Sequence, residues 1–161
     1  MIGYQPGVVG GIALIHAQYY AKEVGFDQAF EINVATELAA FVPRLKLRCN
    51  QLWSRWEKEK VTASIAIDGE TLGKGKGLVR WFMVHPRLHG IGIGQSLLHK
   101  ALKFCDDQEM SQVELWSFAG LDTARELYEA NGFELAEERP GATWGKVMIE
   151  QRFVRLAPVD A

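Results

Sequence analysis

The stretch Arg87-Leu88-His89-Gly90-Ile91-Gly92-Ile93-Gly94-Gln95 decides how this chain is read. It places glycine at alternate positions directly after His85-Pro86, and an amphipathic segment follows. Glycine accepts left-handed backbone and lets an anion approach the main chain unobstructed. A helix that starts at the end of such a loop leaves N–H groups unpaired and carries partial positive charge. The combination suits a phosphate group, and a pyrophosphate above all. The spacing is not that of a Walker A loop, because no Lys-Ser or Lys-Thr follows Gly94. It is not the dinucleotide fingerprint either, since it reads G-x-G-x-G rather than G-x-G-x-x-G. A glycine-rich turn without a ligand is the alternative that the loop alone leaves open.

The flanking segments set the loop in a fold. Residues 78–84 are apolar on both faces except for Arg80, as in a central strand, and His85-Pro86 ends it. Residues 61–68 alternate, with Val61, Ala63, Ile65 and Ile67 on one face, and residues 51–57 carry Leu52, Trp53 and Trp56; both read as strands. Between the second and third strands, residues 68–77 hold four glycines and predict a flexible hairpin loop. After the loop, Ile93, Leu97, Leu98, Ala101, Leu102 and Cys105 mark the buried face of a helix, which makes Cys105 a packing residue. Residues 112–117 predict a strand, residues 121–130 a helix stopped by Asn131-Gly132, and residues 133–136 and 143–156 two closing strands. In the first third, Ile12, Ile15, Tyr19 and Tyr20 line a helix over residues 11–24 that stops at Gly25. Phe30, Val34, Leu38 and Phe41 line a second, capped by Asp27 and limited by Pro43. The order helix, helix, three strands, helix, strand, helix, two strands predicts an α/β (α+β) single domain with a mixed sheet.

Composition narrows the function classes. A chain of 161 residues fits one domain, residues 1–161, and 48% hydrophobic with 24% charged residues is a globular balance. The net charge of −2 gives no electrostatic support to nucleic-acid binding. Two cysteines cannot form a secreted disulfide framework, so a cytoplasmic protein with reduced thiols is expected. No signal peptide is evident, and no apolar run approaches the roughly 20 residues of a membrane span. His85 and His89 are separated by Pro86 and lack a third ligand, so no metal is expected.

Two motifs carry a family resemblance. Val84-His85-Pro86-Arg87-Leu88-His89-Gly90-Ile91-Gly92-Ile93-Gly94, followed by Ser96-Leu97-Leu98, resembles motif A of the GCN5-related N-acetyltransferases (GNAT). Ala124-Arg125-Glu126-Leu127-Tyr128-Glu129-Ala130-Asn131-Gly132-Phe133 resembles that family's motif B. Tyr19 to Asp27, Leu115-Trp116-Ser117, Trp144-Gly145-Lys146 and Glu150-Gln151 are similar to the acetyltransferase half of bacterial regulators that fuse a MarR-like winged helix to such a domain. The winged-helix half has no counterpart here, so control of transcription is not expected.

The resemblance implies a mixed sheet of six to seven strands flanked by about four helices, with two parallel central strands splayed apart. It implies acetyl-coenzyme A as cofactor, lying in that gap, and a small-molecule or protein amine as acceptor. The backbone of Phe82, Met83 and Val84 would pair with the pantetheine arm. The N–H groups of His89, Gly90, Ile91, Gly92, Ile93, Gly94 and Gln95 would hold the pyrophosphate. Attack of a neutral amine on a thioester requires loss of a proton from the amine and supply of one to the thiolate. Tyr128, at the motif B tyrosine, is the implied acid. Glu23, Asp27 and Glu31 lie near the turn that borders the acceptor in the family, although solvated surface carboxylates are their plainer reading. Trp116 and Ser117 are candidates for the acceptor side of the splayed strands. Three departures stand out: His89 replaces the usual Arg or Gln, Leu121 replaces a common Asn, and the strand before motif A offers Arg80, Trp81, Phe82 and Met83 but no Glu. The missing Glu and Asn raise a second possibility, a coenzyme A-binding sensor or pseudo-enzyme without turnover. A homodimer formed through the long final strand is also possible.

Overall fold

The computed structural model describes residues 1–158. Helix α1 (Val8–Val24) stops at Gly25, whose left-handed backbone (φ 72°) donates its N–H to the last carbonyls of the helix. Helix α2 (Gln28–Phe41) is capped by Asp27, which accepts a hydrogen bond from the Ala29 N–H at 3.1 Å. Pro43 then turns the chain through a short helical turn (Val42–Lys46). The remaining elements are β1 (Gln51–Glu57), β2 (Lys60–Asp68), β3 (Lys76–Val84), α3 (Ile93–Asp107), β4 (Gln112–Phe118), α4 (Asp122–Ala130), β5 (Glu134–Gly141) and β6 (Met148–Leu156).

The strands form one mixed sheet in the order β1-β2-β3-β4-β6-β5. Two apolar clusters cover its faces. Leu97, Leu98, Leu102 and Cys105 of α3, with Tyr128 of α4, pack on one face against Ile65, Ile67, Leu115 and Phe153. Ile12 of α1, with Phe30, Leu38 and Phe41 of α2, packs on the other against Leu52, Ala66, Met83 and Phe118. Burial pushes the Cys105 thiol up to about 12, which keeps it protonated. Among the described residues no helix is long and apolar enough to cross a membrane.

Three expectations change. The penultimate strand is longer than residues 133–136: it runs through Arg139-Pro140, which an edge strand tolerates, and residues 142–147 form a loop rather than part of the last strand. β6 pairs with β4 on one side and β5 on the other, so it offers no free edge to a second subunit. The glycine-rich hairpin is anchored rather than free. Asp68, fully buried, accepts hydrogen bonds from Arg44 (2.7 Å), Arg80 (3.2 Å), the Thr71 hydroxyl (2.7 Å) and the N–H groups of Glu70 and Thr71.

That network yields a test. Burial alone would raise the Asp68 pKa, but the bonds from Arg44, Thr71 and the two N–H groups outweigh it and hold the carboxyl well below the usual range. A depressed folded value stabilises the fold above the unfolded pKa of about 4 and is lost as pH falls below it. Asp68→Ala should therefore lose about 3 kcal/mol at pH 7, measured by urea unfolding, and the wild type should lose more of its advantage than the variant on acidification to about pH 2. An equal acid sensitivity in both proteins would show that Asp68 is not its source.

The register of the parallel pair is short, and this positions the site. β3 and β4 meet only at Lys76↔Gln112, Gly77↔Val113 and Leu78↔Glu114. Past Leu78, the β2–β3 register shifts between Ser64 and Ala66, and Trp81 takes a left-handed backbone (φ 48°). The Ser64 hydroxyl donates to the Trp81 carbonyl at 2.6 Å, and the Trp81 ring packs on Phe41, which holds this unfavourable conformation in place. Such a bulge bends its strand, and β3 parts from β4.

Candidate active site

The gap exposes the β4-facing side of the end of β3. Met83 and Val84 pair with Ser64 and Ala63 of β2, and no β4 residue pairs with Phe82, Met83 or Val84. The loop that follows is rich in unused donors. The His89 N–H is already engaged by the Pro86 carbonyl (3.1 Å), which removes it from the expected set. The N–H groups of Gly90, Ile91, Gly92, Ile93, Gly94 and Gln95 have no acceptor among the described residues. Gly90 (φ 82°) and Gly92 (φ 88°) are left-handed, and a Cβ on either would meet nothing within 4 Å. This is an open, exposed cradle at the N-terminus of α3, and it fits a pyrophosphate. Gly94 differs: a Cβ there would touch Leu127, Phe82 and Val84 at 3.7 Å, so it is a packing position.

His89 does not face that cradle. Its Nε2–H donates to the Val84 carbonyl at 2.8 Å, and its ring stands edge-on to Tyr19. The imidazole thus tethers the loop to the end of β3 instead of adding charge to an anion site. The Val84 carbonyl keeps a second lone pair for another donor.

A cleft of about 480 Å³ opens beside the gap. Phe82, Tyr128, Trp116 and Ser117 all line it, although they come from β3, α4 and β4. Tyr128 packs its ring among Phe82, Phe133 and Phe153. Burial pushes its hydroxyl up to about 12, with the Ser117 side chain pulling the other way. It therefore carries its proton throughout the physiological range. Arg139 lies over the Trp116 ring at 4.8 Å.

Glu23, Asp27 and Glu31 are exposed and do not line the cleft. Asp27 is engaged as a helix cap, and Glu31 sits one position past the inward stripe that begins at Phe30, about 100° around the helix. The helical wall is instead aromatic, from Tyr20, Phe26 and Phe30, together with His16. Burial lowers the His16 pKa to about 4, partly offset by its 2.7 Å bond to the Ile12 carbonyl, so the ring is neutral. Burial, with Tyr128 and Tyr19 nearby, raises Tyr20 above the ordinary phenol range. Leu121 caps no N–H at the start of α4 and packs into the α1/α2-side cluster.

Arg80 leaves no free charge in the cleft, because it pairs with Asp68 and Glu37. The cleft carboxylate to which the sequence reading gave no site role is Glu150, which figured there only in a family resemblance. It lies opposite Phe118 in the β4–β6 register and is 1% exposed. Its signal was a single acid inside an otherwise strand-like segment, but nothing in the chain order assigned that acid a face of the sheet.

A mixed sheet opened between parallel strands, with an anion cradle at the gap and a buried acid-bearing cleft beside it, is the architecture of a group-transfer protein. The sequence matches the acetyltransferase (GNAT) domain model over residues 49–135, more than half of the chain, and the chain belongs to that family. No curated protein matches the sequence. The fold is similar to that of YncA from Salmonella typhimurium, solved with its cofactor acetyl-CoA (TM-score 0.75, 14% identity, 100% of this chain and 95% of that one). It is also similar to a GNAT-family acetyltransferase from Staphylococcus aureus Mu50 (TM-score 0.74, 15% identity, 97% and 98%). A third is the ribosomal-protein-alanine N-acetyltransferase of Brucella melitensis (TM-score 0.72, 12% identity, 98% and 99%).

Proposed function

We propose that this protein is an N-acetyltransferase that moves an acetyl group from acetyl-coenzyme A to a primary amine by direct attack of the amine. The observation that carries this reading is the run of unpartnered N–H groups at residues 90–95 beside a gap between parallel strands. Acetyl-coenzyme A supplies an activated acyl thioester. The chain's own parts are complementary to it. The N–H groups from Gly90 to Gln95 bind the pyrophosphate, and the unpaired side of Phe82, Met83 and Val84 holds the pantetheine arm. Tyr128 keeps a proton at its hydroxyl for a thiolate leaving group, and Trp116 and Ser117 border the acceptor.

All described strands share one sheet, which supports a single acetyltransferase domain. Free Cys49 and Cys105 support a reducing, cytoplasmic setting. The closer relation to the acetyltransferase half of MarR-fused regulators rests on segments that supply Tyr20, Phe26, Trp116, Ser117, Trp144 and Glu150 to the cleft. The absence of a carboxylate on β3 favours a second reading, a coenzyme A sensor without turnover.

Calorimetric titration with acetyl-coenzyme A, followed by thiol-release assays over a panel of primary amines, separates these. Saturable binding with thiol release is expected. Binding without release from any amine would select the sensor, and no binding would overturn both readings.

A further inference from the structure

We infer that the acceptor is a cationic arylalkylamine, a primary amine on a flat apolar body, anchored by Glu150; this deepens the acetyltransferase reading and rests on it. Glu150 is buried, and only one of its two oxygens accepts a hydrogen bond among the described residues. Its Oε2 accepts the Thr143 N–H at 2.9 Å. Its Oε1 accepts no hydrogen bond among the described residues and has one long ion pair, 3.8 Å to the Arg139 Nε. That guanidinium is half-exposed, reaches Glu137 at 3.4 Å and lies over Trp116.

The carboxylate's seat is built by the backbone. Gly141 passes so close that a Cβ there would come within 2.5 Å of the Glu150 Cδ and Oε1. A carboxylate withdrawn from water this far is costly unless charge-assisted donors meet it. Glu150 lines the cleft, and its Oε1 retains the capacity to accept a charge-assisted hydrogen bond from an ammonium N–H.

The walls beside it select the rest of the acceptor. Pairing opposite Phe118 puts Glu150 on the α1/α2 face of the sheet. There Phe118 packs against Trp144 (5.6 Å between centroids) and Phe26 (5.8 Å), and Tyr20 against Phe118 (5.8 Å) and Phe30 (5.4 Å). Rings beside a carboxylate attract a cation by their faces and an apolar body by contact. Among the described residues the cleft offers no unpaired cation to an acceptor carboxylate: Arg80 is engaged by Asp68 and Glu37, Arg139 lies between Glu137 (3.4 Å) and Glu150 (3.8 Å), and His16 is neutral. Nor does it offer an unengaged second acid to a polyamine, because Glu37 is held by Arg80 and Glu23, Asp27 and Glu31 lie outside. An ammonium held by a carboxylate can pass one proton to it, leaving neutral amine and neutral acid, so anchoring is compatible with attack.

Thiol release from acetyl-coenzyme A, measured with phenethylamine, phenylalanine and spermidine, tests the assignment. Phenethylamine should show a kcat/KM about 10- to 100-fold above either alternative, the range of one charge-assisted hydrogen bond. Glu150→Gln should raise the phenethylamine KM about tenfold and leave the Kd of acetyl-coenzyme A unchanged. A binding comparison needs neither the variant nor turnover. Phenethyl alcohol should bind the wild type, with or without coenzyme A, about tenfold more weakly than phenethylamine. Preference for phenylalanine or spermidine, an unchanged KM in the variant, or equal binding of the alcohol would each overturn the inference. Absence of acetyl-coenzyme A binding would instead overturn the acetyltransferase reading, while the amine–alcohol comparison would still decide the pocket.

Discussion

Gly92→Trp should abolish saturable binding of acetyl-coenzyme A, weakening it by at least about 100-fold, while the protein stays folded. Two effects add. Gly92 occupies the N-cap of α3 with φ 88°, where a side chain strains the backbone by about 1–2 kcal/mol and turns the neighbouring N–H groups. The space above it is open, so an indole would fill the volume that the pyrophosphate needs. Loss of two charge-assisted hydrogen bonds, each worth about 1.5–3 kcal/mol, accounts for the expected factor. The loop is exposed, so the thermal midpoint should fall only slightly. Calorimetry on both proteins checks this. Wild-type affinity in the variant would mean that residues 90–95 do not hold the cofactor.

Tyr128→Phe should lower kcat about 100-fold with little change in the Kd of acetyl-coenzyme A. The ring stays packed among Phe82, Phe133 and Phe153 in the variant, so the fold is retained. What is removed is the hydroxyl, with its proton and its interaction with Ser117. Because burial raises the hydroxyl to about 12, Tyr128 remains protonated well past neutrality, and its own ionisation should not limit activity below about pH 11. An alkaline limb below that belongs to another group. Steady-state kinetics across pH supplies both readings, and an unchanged kcat would leave Tyr128 as a packing residue alone.

The elements of this fold were legible because their signals are local. Alternation in residues 61–68, the three-and-four spacing from Ile93 to Cys105 and the stops at Gly25 and Asn131-Gly132 each depend on neighbours in the chain. The loop at residues 87–95 was legible for the same reason, since a helix start and its glycines carry the anion chemistry themselves. The boundary near residues 133–147 was not. Whether Arg139-Pro140 continues a strand depends on β5 lying at the sheet edge, a fact set by pairing with β6.

The cleft divides in the same way. Tyr128, Trp116 and Ser117 carried motif or strand signals and do border it, whereas Glu23, Asp27 and Glu31 were placed by proximity to a turn. Which side of a helix faces a cleft depends on what the helix packs against, and α2 turns Phe30 and Val34 inward. Strand order alone sets Glu150 opposite Phe118, because β6 enters the sheet between β4 and β5. By itself the sequence determined the succession of elements, the glycine-rich loop at the start of α3 and the motif tyrosine, all governed by interactions a few residues apart. The tertiary structure decided the gap between β3 and β4, the turn of His89 toward Val84, the anchoring of Asp68 and the burial of Glu150. Each of these depends on contacts between segments far apart in the chain, where register and packing, rather than local preference, choose the partner.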